Sequence, residues 1–190
     1  MNEPGKSRSH ARRASGASGP RKNVKAQHSD SRPGSRRKAR IIAFQSLYRW
    51  DLSSPSLTEL LDFSWIEEDK LSKLSTETII FARLLIQGTL ENLPRIDQEI
   101  RAQLENWDFT RLARVDLAIL RMGAYCLLFQ SDIPPTVTID EAVDISKEFG
   151  AEDSYRFVNG VLDGIRKRAG HGSGGKGPEG PEKTADAPLP

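Results

Sequence analysis

Catalysis needs a nucleophile, a base, a metal ligand or a phosphate cradle, and this chain is poor in all four. Its three histidines are His10, His28 and His171, all in stretches dominated by small, polar and basic residues. None is left in the apolar-patterned region for a triad or a zinc site. Cys126, the one cysteine, stands among apolar neighbours, where a thiol reads as structural rather than nucleophilic. No GxxxxGK[ST] loop occurs. Carboxylate pairs such as Glu67-Glu68 and Asp140-Glu141 read as solvated faces or capping groups. The sequence points away from an enzyme and implies no cofactor and no metal.

What it offers instead is binding. Ser35-Arg36-Arg37-Lys38-Ala39-Arg40 sets four cations at the start of an apolar-periodic segment. The helix macrodipole disfavours cations there by about 0.3–1 kcal/mol each at exposed sites. A bound phosphate reverses that penalty, because free N–H groups and guanidinium forks both point at the anion. The alternative is that a basic tail simply runs on into the helix. The same segment carries Phe44, Leu47, Tyr48, Trp50 and Leu52. Either these are all core, or Tyr48, Trp50 or Leu52 is left for a partner.

The elements that must hold these groups are helices. Apolar spacing of three or four predicts a helix over 36–52, with Ser35 as its N-cap. Ser56 and Glu59 form a capping-box pattern for a short helix holding Leu57, Leu60, Leu61 and Trp65. A third helix is expected over 76–91, with Ile79, Ile80, Leu84 and Leu85 as its buried stripe. Asn92-Leu93-Pro94 opens a fourth, with Ile96, Ile100 and Leu104. Asp108 is expected to cap a long helix bearing Leu112, Val115, Ile119, Met122 and Leu127. Thr138 and Glu141 suggest another capping box, and Gly150 a left-handed helix end. A last helix over 153–168 carries Phe157, Val158, Val161, Leu162 and Ile165. No segment alternates as a strand does, so the expectation is an all-α fold of two helical groups, 36–104 and 108–169.

Residues 1–34 and 170–190 are low in aliphatic side chains and rich in Ser, Gly, Pro and charge. Such segments cannot bury enough apolar surface to offset ordering entropy, so disordered tails are expected. Charge is split unevenly. Residues 1–40 hold 12 Lys/Arg against Glu3 and Asp30, a net +10, and the remaining 16 basic and 24 acidic residues give −8. A basic arm on an acidic body suits a polyanion partner. No apolar run is long enough to span a bilayer, nothing resembles a secretory signal, and the lone cysteine fits a reducing cytoplasm.

Two stretches carry a family resemblance. Residues 36–53, from Arg36-Arg37-Lys38-Ala39-Arg40 through Ala43-Phe44-Gln45-Ser46-Leu47-Tyr48-Arg49-Trp50-Asp51-Leu52-Ser53, resemble the opening of the NusB family of bacterial transcription antitermination proteins. Gly150-Ala151-Glu152-Asp153-Ser154-Tyr155-Arg156-Phe157-Val158-Asn159-Gly160-Val161-Leu162-Asp163 looks like its closing helix. Leu120-Arg121 and Ile139-Asp140-Glu141-Ala142-Val143 fall between them as the family has them. The resemblance covers 36–168. It implies two three-helix subdomains that bind single-stranded box A RNA together with the small-subunit ribosomal protein NusE. That complex joins RNA polymerase and suppresses termination on ribosomal RNA operons.

Carried over by position, Arg36, Arg37, Arg40, Phe149, Asp153, Arg156 and Phe157 would contact RNA. Tyr48, Leu52 and Asp116 would face NusE. The chain departs from the family pattern at Cys126, where an acid is usual, at Asp140, where Asn is usual, and at Asp116, where Glu is common. By spacing, Phe157, Val158, Val161 and Leu162 are largely core, and close helix packing would account for Gly160. An RNA-targeting domain appended to a methyltransferase would need an additional α/β domain, for which the sequence leaves no room.

Overall fold

The computed structural model describes residues 34–104 and 107–170. Apart from Gly34 and Gly170, the two stretches expected to be disordered lie outside the described residues. All regular structure among the described residues is helical.

Helix α1 (Ser35–Ser53) begins at Gly34, whose φ of 99° is a left-handed conformation that glycine adopts without strain. The expected N-cap, Ser35, is instead the first helical residue. Its hydroxyl meets that of Thr78 at 2.8 Å, tying α1 to the start of α4 (Thr76–Glu91). Helix α2 (Leu57–Leu61) opens with the expected capping box: Ser56 Oγ accepts from the Glu59 N–H, and the Glu59 carboxylate accepts from the Ser56 N–H at 2.8 Å. Trp65 lies beyond this helix, and a short α3 (Glu68–Leu71), which apolar spacing does not predict, follows it.

Helix α4 has the expected bounds but a different buried face. Phe81, Ala82, Leu85 and Ile86 point inward, leaving Ile80 60% and Leu84 42% exposed. The largest side chain of the helix sets the rotation, and Gly88 packs directly under the Tyr125 ring. Helix α5 (Leu93–Arg101) starts with Pro94 in its first turn and buries Ile96 and Ile100.

Asp108 caps only a 3₁₀ turn, Phe109–Arg111, through the Thr110 N–H at 2.9 Å. The long helix α6 (Arg114–Phe129) starts three residues beyond that turn. It is buried on every side from Asp116 to Leu127, as a central helix must be. It packs on α1, α4 and α5 as well as on α7 (Pro135–Phe149) and α8 (Ser154–Arg168), and one apolar core joins them.

Helix α7 starts at Pro135 because proline at the first helical position is already set for helix. Thr138 is therefore inside the helix and buried, not a cap. Gly150 ends α7 with φ −88° and ψ −178°, extended rather than left-handed. What it requires is closeness: a Cβ there would sit 2.7 Å from the Ser146 carbonyl and 2.7 Å from Ser154 Cβ. The turn into α8 is fastened by the Ala151 N–H donating to Ser154 Oγ at 3.0 Å.

Candidate RNA and partner interface

The basic turn lies at a helix start with no side-chain cap and no acidic residue in its first turn. Its first N–H groups, which an α-helix leaves without intrahelical partners, and its cations thus share one end of α1. The arginines are held differently. Arg36 is exposed, stacks its guanidinium 4.2 Å above the Phe81 ring, and has no carboxylate partner among the described residues. Arg37 reaches across to α7, donating to Glu148 at 3.1 Å, with Asp144 at 3.8 Å and Glu141 at 3.9 Å. Arg40 is only 5% exposed, 3.7 Å from Glu141 and 5.5 Å above Phe81. Burial pushes its guanidinium down, and Glu141 opposes that shift. Three acids of α7 therefore aim two of the three arginines and leave Arg36 outward.

Phe149, at the end of the same α7, packs on Phe44 of α1 with ring centres 4.9 Å apart. Beyond the turn, Asp153 precedes α8 without capping it, so its carboxylate stays exposed, 3.4 Å from Arg156. Arg156 Nε donates to Tyr155 Oη at 3.0 Å. Phe157 faces Trp107, ring centres 6.1 Å apart. A cleft of about 480 Å³ opens there, lined by Trp107, Arg111, Asp116, Asp153, Arg156 and Phe157 among others. The structure thus forms two clusters, Arg36, Arg37, Arg40 and Phe149 along α1 and α7, and Asp153, Arg156 and Phe157 at α8.

Tyr48 and Leu52, one turn apart on α1, are half-buried and 53% exposed respectively. Asp116 turns to the α8 side, where Ser154 Oγ donates to its Oδ2 at 3.1 Å. Burial raises its carboxyl above the usual range. At the end of α1, Arg114 of α6 donates to Asp51 Oδ2 at 2.9 Å. Arg121, further along α6, is clamped by Asp97 and Asp51. Trp107 and Arg111 were not legible as site residues, since they sit between helices where periodicity says nothing. A tryptophan among polar residues in the connector was the available signal.

Cys126 is buried beside Arg40, and burial pushes its thiol up to about 12, so it stays protonated and inert at neutral pH. Gly160 has open space where a Cβ would stand, so close packing does not account for it. No group of metal-ligating side chains occurs among the described residues, and no helix among them is long and apolar enough to cross a membrane.

Fold and site define an all-helical binding protein whose conspicuous surface is cationic and aromatic. The profile of the NusB family matches residues 37–167. The transcription antitermination protein NusB of Treponema pallidum is 53% identical over 134 residues, covering 70% of this chain and 94% of that protein. T. maritima NusB superimposes with a TM-score of 0.62 at 40% identity, over 70% of this chain and 90% of that one. A chain from a crystal structure of the antitermination factors NusB and NusE in complex with dsRNA gives 0.63 at 29%, over 70% and 97%. The chain belongs to the NusB family. It is a transcription antitermination protein and not an enzyme.

Proposed function

We propose that this protein binds single-stranded box A RNA together with the ribosomal protein NusE, and that the complex modifies RNA polymerase on ribosomal RNA operons in the cytoplasm. The observation that carries this reading is the uncapped start of α1, where free N–H groups meet outward Arg36 and α7-anchored Arg37. Phosphate binds there as anions bind other helix N-termini, through the dipole and the free donors. Arg36 contacts the backbone directly, Arg37 trades Glu148 for phosphate, and Arg40 holds Phe81 and Glu141 in place. Phe149, Asp153, Arg156 and Phe157 complete the RNA face, the exposed Asp153 accepting from a base or sugar. Tyr48 and Leu52 supply the NusE face, and Asp116, expected there by family position, is proposed for the RNA side because it turns to Ser154 of α8. The net +10 of residues 1–40 adds sequence-independent attraction.

The test is fluorescence anisotropy of the full-length protein on its own ribosomal RNA leader, with and without the organism's NusE. Binding that NusE strengthens is the expected result. Binding indifferent to NusE, or none under either condition, would reject the reading.

A further inference from the structure

The cleft between the 3₁₀ turn and the start of α8 is built in a way that phosphate binding at α1 does not require. Trp107 stands at its edge, 67% exposed, whereas Trp50 and Trp65 are half-buried against the core. A large apolar group left in water beside a concave surface is informative where a scattered one is not. Phe157 forms the neighbouring wall, and Arg111 and Arg156 flank the opening. Within the cleft, Asp116 is only 8% exposed, and its Oδ1 is buried without a donor among the described residues. A buried acceptor of this kind is costly to leave unmade. The cleft volume of about 480 Å³ lies in the range of small-ligand sites.

We infer that this cleft is a nucleobase subsite, in which an unstacked RNA base lies against Trp107 and donates an exocyclic amine hydrogen to Asp116. The inference rests on the RNA reading above and adds to it Trp107, Arg111 and a base-edge role for Asp116. An aromatic wall takes any base by its face. An ionised carboxylate accepts and cannot donate, so it selects bases that present an N–H group. At the exocyclic C4 position cytosine offers its N4 amine, whereas uracil presents O4, a second acceptor that Asp116 repels and that flanks its own N3–H donor. Arg111 and Arg156 meet the flanking phosphates. Protein side chains could also fill an aromatic cleft, but the paired arginines at its mouth favour a polyanion.

The experiment measures full-length protein on short oligo(C) and oligo(U) strands across a salt series. Wild type should prefer oligo(C). Trp107→Ala should weaken both strands by about ten- to a hundredfold with the salt slope unchanged, and Trp107→Phe should keep most of the affinity. Asp116→Asn presents an amide that both donates and accepts, so it should bring oligo(C) and oligo(U) together. Because Trp107 is exposed, its variants should melt as wild type does, which separates weakened binding from a damaged fold. Wild-type binding with Trp107→Ala unaffected, or with the oligo(C) preference intact in Asp116→Asn, overturns the subsite and leaves the RNA reading standing. Failure of wild type to bind either strand overturns the subsite, while the RNA reading stands or falls on leader RNA with NusE. Loss of NusE binding in Trp107→Ala with RNA affinity intact makes the cleft a protein site and overturns the proposal.

Discussion

One guanidinium holds three helices together at Arg121. Its Nε and Nη2 donate to the two oxygens of Asp97 at 2.8 and 2.9 Å, and Nη1 donates to Asp51 at 3.0 Å. Arg121 and Asp97 are both buried, so removing one partner strands the other's charge. Asp97→Ala should therefore cost about 3–5 kcal/mol in urea unfolding. Arg121→Met combined with Asp97→Leu should cost less than Asp97→Ala alone, and the reverse order would show that the pair is not the cause. Asp116 is a second buried charge, with the opposite lesson. Its raised carboxyl means the folded chain binds a proton more readily than the unfolded one. Stability then falls as pH rises above the ordinary Asp value of about 3.9 through the folded value. Asp116→Asn removes that loss. It should be more stable than wild type at neutral pH, with the gain shrinking as pH falls toward about 3.9. A pH-independent difference across unfolding curves would contradict this. Neither burial was legible in the sequence, because periodicity marks apolar positions and is silent on which charges are drawn in with them.

At the scale of elements, the long helices were legible, while the short α3 and helix rotation were not. The bounds of α4 came directly from its spacing, yet Ile80 and Leu84 face outward because Phe81 and Gly88 set the face against α6. Start signals failed for different reasons, one tertiary and two local. Ser35 bonds Thr78, Thr138 is buried behind Pro135, and Asp108 closes a 3₁₀ turn ahead of α6. Of the candidate site, the charged and aromatic members on α1, α7 and α8 were picked out by family position, and Trp107 in the connector was not. The glycines give an element-scale test. Gly160 is exposed with open space around it, so Gly160→Ala should stabilise α8 by roughly 0.8–1 kcal/mol, the helix-propensity difference. Gly88→Ala should destabilise, since its new methyl would overlap the Tyr125 ring. Thermal melting of the two variants checks both signs, and a destabilised Gly160→Ala would point to a packing role that the structure does not contain.

For the whole molecule, charge is split along the sequence. A net +10 in residues 1–40 adjoins a body of −8, and acids of α7 lie against the basic turn of α1. Affinity for RNA should then come in two parts, a backbone part sensitive to salt and a base-reading part insensitive to it. The most direct test is a salt titration of RNA binding by wild type, an Arg36→Ala/Arg37→Ala variant and Asp153→Asn, each on leader RNA and on a scrambled strand. Removing one cation from a phosphate should flatten the slope of log K against log salt by about 0.7 on single strands. The arginine variant should therefore be flatter by about 1.4 and weaken both RNAs alike. Asp153→Asn should keep the slope and lose preference for the leader. An arginine variant with the wild-type slope would contradict the central claim that the start of α1 grips the RNA backbone.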